Sequence, residues 1–379
     1  MDFGLSASQQ KFKDEVVAFV DGWDKEQIKA LERDSLFPVD LYRALSERGW
    51  AGVMVPPEFG GMGLGAIEMA IITEEFGRLG FSGLALTLHG QRTLLKLGTP
   101  AQQQKYVPGL TRGDILSAIV VSEPDVGSSL KHMKTRATRH GDHFIVNGLK
   151  HHITLGEEAS LYITFTLTDK GLTTFLIDRH SPGIRVKKLD AIGWCLEPHY
   201  EVEFVDVRVP ADHLLGAEGQ GIQTFFASFN LTRICNASHL IGVARSAIED
   251  AVRYATQRTV GDSKVADFQG IQWMIADLAV KLQSAQLVRD KAAWMEDAGL
   301  KHETETAMAK LLAVELVDAA ANKAFSIVGG YGSYRTTSFE RYLRDAKIGH
   351  VTGGSPEIMR NNIARAVLRE FGYRPPKAG

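Results

Sequence analysis

The sequence is poor in cysteine: Cys195 and Cys235 are its only two, with no CxxC and no Cys/His metal spacing around them. A disulfide framework and a cysteine-based zinc site are thereby excluded, and a reducing, cytoplasmic compartment is expected. It is equally poor in excess charge. With 43 Lys and Arg against 45 Asp and Glu, the formal net charge is −2, which gives no field that would gather nucleic acid or anionic lipid. Small molecules and further copies of the chain are the partners to expect. No apolar run approaches the roughly 18 residues of a membrane span, and the start, MDFGLSASQQKFKDE, is acidic and amphipathic rather than basic then apolar. Neither a signal peptide nor an anchor is expected. Internal repeats and low-complexity segments are missing as well, and only the terminal RPPKAG reads as a disordered tail.

What is present is ordinary globular material, 44% hydrophobic and 23% charged over 379 residues, enough for two or three packed domains. Residues 1–116 show helical spacing, as in Phe12, Val16, Phe19 and Val20, then Leu41, Leu45 and Trp50, then a helix from about Ala66 to Leu79. Residues 117–222 alternate strand-like runs (YITFTLT, TTFLID, IRVKKL, YEVEFVDVRV) with turns such as TDKG and SPGI, which predicts a small antiparallel β domain. Helical spacing returns over 223–379. The order α, β, α without βαβ alternation predicts an α+β fold and argues against a dinucleotide-binding Rossmann domain.

The stretch with the most chemistry is SAIVVSEPDVGSSLKHMKTRATRHGDHFIVNGLKHHITLG, from Ser117 to Gly156. It reads as a strand over Ala118 to Val121, a loop over Ser122 to Ser129, and a strand pair turning at Arg139 to Asp142. The loop brings hydroxyls and unhindered backbone N–H groups together, which suits an anionic or carbonyl-rich ligand; the plain alternative is a β-connection.

SEPDVGSS followed by NGLKHHITLG resembles the TEPGAGSD and NGxKxWITN signatures of the acyl-CoA dehydrogenase family. PPEFGGMGLG (Pro56 to Gly65), RTVGDSKVADFQ (Arg258 to Gln269), VGGYG (Val328 to Gly332) and RDAKIGHVTGGSPEI (Arg344 to Ile358) follow in the family's order. The resemblance therefore covers almost the whole chain. It implies an N-terminal helical domain, a middle β domain and a C-terminal four-helix bundle, assembled as a homotetramer. It further implies FAD as cofactor, desaturation of an acyl-CoA or acyl-carrier thioester between Cα and Cβ, and an electron-transferring flavoprotein as redox partner.

Carried over by motif, the resemblance places Ile119, Val121 and Ser122 along the isoalloxazine, Thr154 at its N5, Gly127 at a close approach of ligand, and Ser128 on the acyl-CoA. His152 stands where the family carries an aromatic residue packed on the flavin. Arg258, Val265 and Gln269 would contact the FAD of a neighbouring subunit, with Ser326, Gly330, Ser355 and Glu357 completing the cofactor wall. Gly261 and Ser326 replace the family's aromatic and Gln there. Asn230 and Arg233 match CoA-contacting positions.

The chain also lacks the family's base. Gly353 stands where most members have Glu, Thr232 where a minority do, and neither is a carboxylate. The Gly353 N–H can still polarise a carbonyl, but a glycine cannot accept a proton. Three readings follow: another side chain is the base, with His89 of LTLHGQ as candidate; the enzyme reduces an enoyl thioester or expels a β-leaving group; or the chain is a silent subunit of a hetero-oligomer.

Overall fold

The computed structural model describes residues 4–130 and 132–373; the terminal RPPKAG lies outside them. Six helices come first: α1 (Ala7–Asp21), α2 (Lys25–Arg33), α3 (Val39–Glu47), α4 (Ala66–Gly77), α5 (Ala85–Leu97) and α6 (Pro100–Arg112). Their starts follow local chemistry. Ser6 and Gln9 form a reciprocal cap on α1, Asp24 accepts from two amides of α2, and Thr99 caps α6 ahead of Pro100. Between α3 and α4 the PPEFGGMGLG loop folds tightly back on itself. A Cβ at Gly61 would lie 2.0 Å from the Val55 carbonyl oxygen, so only glycine closes that loop.

The cap of α4 comes from far away in the chain. Asp297 accepts from the Ala66 amide at 2.6 Å and from the Ile67 amide at 3.3 Å. Asp297→Ala should therefore cost about 1 kcal/mol in urea denaturation, while Asp297→Asn retains most of the stability.

The sheet holds β1 (Ser117–Val120), β2 (Arg136–His140), β3 (His143–Thr154), β4 (Leu161–Thr168), β5 (Gly171–Asp178), β6 (Ile184–Leu189) and β7 (His199–Pro210). Its order is β1-β4-β2-β3-β7-β6, with β5 pairing β4 off that path. The expected antiparallel pairing holds for β2–β3, β3–β7, β4–β5 and β6–β7 and is corrected at one end: β1 runs parallel to β4, and β2 meets β4 in parallel at one register point. The chain leaves β1, makes the Ser122 loop and the β2–β3 hairpin, and returns in its original direction, so the hairpin acts as the crossover. Alternating burial along β7 fits one face on the core (Tyr200, Val202, Phe204) and the other half-exposed.

The C-terminal part opens with α7 (Gly221–Gln257), followed by the short hairpin β8 (Thr259–Val260) and β9 (Ser263–Lys264), then α8 (Gln269–Asp297), α9 (Glu303–Val328), α10 (Phe339–Gly349) and α11 (Pro356–Glu370). α7 is the spine. Its buried positions Leu231, Ile234 and Cys235 join the core of the N-terminal helices, whereas Leu240, Val243, Ala247 and Ala251 pack in the alanine-rich core of α8 and α9. Small residues let those helices approach closely, which fixes α7 against both layers.

Candidate active site

The Ser122 loop is held by a buried ion pair. Lys150, fully buried on β3, reaches Glu123 Oε1 at 3.1 Å and donates to the Val121 carbonyl at 2.9 Å. Glu123 also accepts from the Lys134 amide at 2.6 Å and the Thr135 amide at 2.9 Å. Burial opposes its charge, but the hydrogen bonds at Thr135 and Lys134 and the Lys150 ammonium outweigh it and hold the carboxyl below its usual value. One carboxylate thus closes both ends of the loop. The His151 amide donates to the Ser122 carbonyl at 2.9 Å and fastens the loop to β3.

The face this leaves open carries most of the β-domain candidates. Ile119 and Ser122 are half-buried, Val121 is nearly buried, and Gly127 and Ser128 are exposed. Nothing lies within 4 Å of a Cβ built on Gly127. The register of β3 against β7 shifts between Lys150 and Ile153, and within that bulge His152 has φ +59. The bulge turns His152 out to solvent, with its ring edge-on to His151 at 4.2 Å. Burial and the neighbouring His151 hold His152 below its ordinary pKa. Burial takes His199, opposite Thr154, down to about 4, with His152 adding.

A second group sits where α7, α9 and the end of α10 converge. Arg233 Nε donates to the Gly353 carbonyl at 3.0 Å, and its guanidinium lies 4.3 Å from the Phe229 ring centroid. Asn230 Oδ1 is 3.5 Å from Nη1. Arg233 is buried, not on a solvated face. Gly353 and Gly354 have φ +65 and +99, a pair of left-handed residues that glycine alone adopts freely. Ser355 follows as the N-cap of α11, and its hydrogen bond to Glu357 holds that exposed carboxyl below its ordinary value.

His89 is fully buried on α5. Both ring nitrogens have Ser228 Oγ in reach, Nδ1 at 2.7 Å and Nε2 at 3.4 Å, and Thr93 Oγ1 lies 3.1 Å from the same hydroxyl. Burial pushes its pKa down to about 3. At neutral pH it is an uncharged hydrogen-bonding group and a weak base. Thr232, one turn beyond Ser228, donates to the Ser228 carbonyl at 3.1 Å.

The third group stands apart. Arg258 ends α7, and its carbonyl accepts from the Val265 amide at 2.9 Å; Gln269 opens α8. Arg258, Gln269, Ser326 and Gly330 are exposed while Val265 is buried. Between Arg233 and Arg258 the helix α7 advances about 37 Å at its standard rise. The third group therefore lies far along α7 from the Arg233 group.

Lys310 was not singled out by its sequence context. It is fully buried on α9 and donates to the Gly349 carbonyl at 2.8 Å. The signal was available in AMAKLLA, a lysine in phase with the buried Thr306, Ala307, Ala313 and Val314.

The residues fit a flavin. The hydroxyls of Ser122 and Thr154 make no hydrogen bond among the described residues, His151 Nδ1 is buried without a partner, and the open space over Gly127 allows a planar ring system to approach the backbone.

The three parts of the chain match, in order, the acyl-CoA dehydrogenase N-terminal domain over residues 6–114, the middle domain over 118–207 and the C-terminal domain over 219–368. An acryloyl-CoA reductase (NADH) of Anaerotignum propionicum is 34% identical, covering 97% of this chain and 96% of that protein. The solved glutaryl-coenzyme A dehydrogenase complex with glutaryl-CoA shares 33% identity at a TM-score of 0.94 over 99% of this chain and 98% of its own. A chain from structural work on the electron transferring flavoprotein of Acidaminococcus fermentans shares 31% at a TM-score of 0.92, covering 97% of this chain and all of that one (100%). Fold and domain order converge, and the chain belongs to the acyl-CoA dehydrogenase family.

Proposed function

We propose that the chain, by family an FAD-dependent oxidoreductase of acyl thioesters, works on the Cα–Cβ bond without a side-chain carboxylate base and favours reduction of an enoyl thioester. One observation carries this reading: neither Gly353 nor Thr232 is a carboxylate, and His89, the remaining candidate, is held neutral with a pKa near about 3. Oxidation needs a base for the Cα proton. In reduction, hydride addition at Cβ leaves an enolate at Cα that is a strong enough base to take its proton from water beside the half-exposed Gly353, whereas water is too weak a base to remove that proton in the oxidative direction. The likeness to an acryloyl-CoA reductase supports the same direction.

Bound FAD would supply or accept the hydride; the chain's own residues orient and exclude. Ser122, Gly127, Thr154, Ile119, Val121 and His152 are the residues that would hold its ring. The Gly353 N–H polarises the thioester carbonyl, and Arg233 fixes that loop through the Gly353 carbonyl. Ser128 and Asn230 contact the acyl carrier. Arg258, Val265, Gln269, Ser326 and Gly330 serve the FAD of another subunit, with Ser355 and Glu357 on the near wall.

Self-association has its own support. α8 exposes Trp273, Val280, Leu287 and Trp294 at 63%, 67%, 41% and 56%, one residue every seven, which draws an apolar stripe along a single helix face. A homotetramer accounts for that stripe and for the distant third group together. An electron-transferring flavoprotein is the redox partner we propose, in keeping with the Acidaminococcus neighbour. Cys195 and Cys235 are both free and buried, and no described helix is long and apolar enough to cross a membrane; we place the protein in the cytoplasm.

Stopped-flow spectroscopy of the holoprotein tests the direction. Dithionite-reduced protein should be reoxidised anaerobically by acryloyl-CoA or crotonyl-CoA, whereas bleaching by the saturated thioesters should be slower by about 100-fold, the usual contribution of a general base. Equal rates would sink the proposed direction. A protein that stays colourless with added FAD would favour the silent-subunit reading.

A further inference from the structure

Two basic side chains are buried around Gly353 without a counter-ion. Arg233 and Lys310 are 6% and 0% exposed, and neither has a carboxylate within ion-pair distance among the described residues. Each is held by weaker means. Arg233 lies over the Phe229 ring and donates to the Gly353 carbonyl; Lys310 donates to a carbonyl at the C-terminal end of α10, where the helix dipole is negative. These contacts orient the charges but do not neutralise them, and an unpaired buried cation is costly.

The backbone between them leaves room at Gly353. A Cβ built on Gly353 would meet Asn236 Cγ at 3.6 Å and Lys310 Cε at 3.7 Å, ordinary contact distances, whereas one on Gly354 would meet Met359 Cε at 2.8 Å ahead of Arg233 Nη2 at 3.4 Å, so the open side is that of Gly353. Gly353 itself is half-exposed, so the spot opens outward. Asn236 supplies an independent sign of a missing partner. It is 6% exposed, and its side-chain amide makes no hydrogen bond among the described residues, Oδ1 being buried and unpartnered. Turned either way, the amide can present its NH2 to an acceptor.

We propose that Arg233, Asn236 and Lys310 form a receptor for a carboxylate carried on the acyl group, so that the substrate is the monothioester of a short dicarboxylic acid. The inference rests on the acyl-thioester reading above. In the free protein, burial and the Arg233 charge push Lys310 down to about 7; an incoming carboxylate restores its charged state.

The test uses the FAD-loaded protein and follows the flavin difference spectrum on titration with malonyl-, succinyl- and glutaryl-CoA against propionyl-, butyryl- and pentanoyl-CoA. One of the carboxylated thioesters should bind at least about 30-fold more tightly than its unsubstituted partner, the loss expected when a buried charge pair is broken. Lys310→Met should abolish that ratio while leaving the unsubstituted thioester within about 2-fold. Should that variant fail to fold, Asn236→Leu and Gly353→Glu serve instead, the latter filling the receptor with the chain's own carboxylate and reversing the preference. Equal binding of both sets overturns the receptor and leaves the thioester reading intact; binding of neither overturns both. Acetate or inorganic phosphate competing as well as free succinate would show a general anion site and also overturn it.

Discussion

Lys150→Met should cost the protein about 3–5 kcal/mol of stability, the range seen when one partner of a buried ion pair is removed and the other charge is left behind. Lys150 and Glu123 are both shut away from solvent, and Glu123 keeps its charge only because of its neighbours. The double variant Lys150→Met with Glu123→Leu should recover part of that loss, since no lone charge remains. It cannot recover all of it. Glu123 also satisfies the Lys134 and Thr135 amides, which would then be buried without acceptors. Urea denaturation of the three proteins measures the stabilities, and a Lys150→Met loss under about 1 kcal/mol would show that the pair contributes little. Flavin affinity should fall further than stability does. The Val121 carbonyl loses its Lys150 donor, so the strand exit into Ser122 is freed just where the ring edge would be held. Equilibrium dialysis of FAD at a temperature where the variant remains folded separates the two effects.

That ion pair also shows what a reader of the sequence can and cannot see. SEPDVGSS and NGLKHHIT are legible as a loop and a strand from Gly/Ser clustering and alternation, and the structure places β1 at Ser117–Val120 and β3 at His143–Thr154. The partnership of Glu123 with Lys150 crosses 27 residues and depends on the register of a bulged strand, which no local pattern encodes. The parallel pairing of β1 with β4 is invisible for the same reason: strand direction in a sheet is set by the path of the chain between strands, here a whole hairpin. Asp297 on α4 is the extreme case, a cap contributed across 231 residues. At the candidate site, Gly353 and Thr232 could be read by position, because a missing carboxylate is a fact of the sequence. That Arg233 turns inward onto Gly353, and that Lys310 lies beneath the same loop, are facts of packing between α7, α9 and α10. His89 could be read as a histidine in an apolar helix. Only the fold shows that burial strips it of basicity.

The same burial gives the second large effect, a loss of stability in mild acid. His89 and His239 are fully buried, and desolvation takes each from an ordinary 6.5 to about 3; at His239 the Arg341 charge adds and a backbone contact from Phe81 opposes. In the unfolded chain both imidazoles take up protons below about pH 6.5, whereas in the folded chain they stay neutral until about pH 3. The unfolded state therefore binds more protons across that window, and folding stability falls as pH falls through it. At pH 5 the two together should cost about 4 kcal/mol relative to pH 7, at about 1.4 kcal/mol per pH unit each below 6.5. Glu197 and Asp345 work in the opposite sense. Burial raises both carboxyls, so they gain protons in the folded state first. The decisive quantity is consequently the difference between proteins, not the slope of one. His89→Gln keeps a hydrogen-bonding group beside Ser228, and His239→Phe keeps a ring against Trp194, whose centroid lies 4.8 Å away. Neither replacement titrates. The double variant measured by urea denaturation at pH 7 and pH 5 should lose less stability than the parent by about 4 kcal/mol over that interval. Parallel losses in the two proteins would mean that water or a rearranged side chain reaches both imidazoles, and that His89 remains available as a base near neutrality.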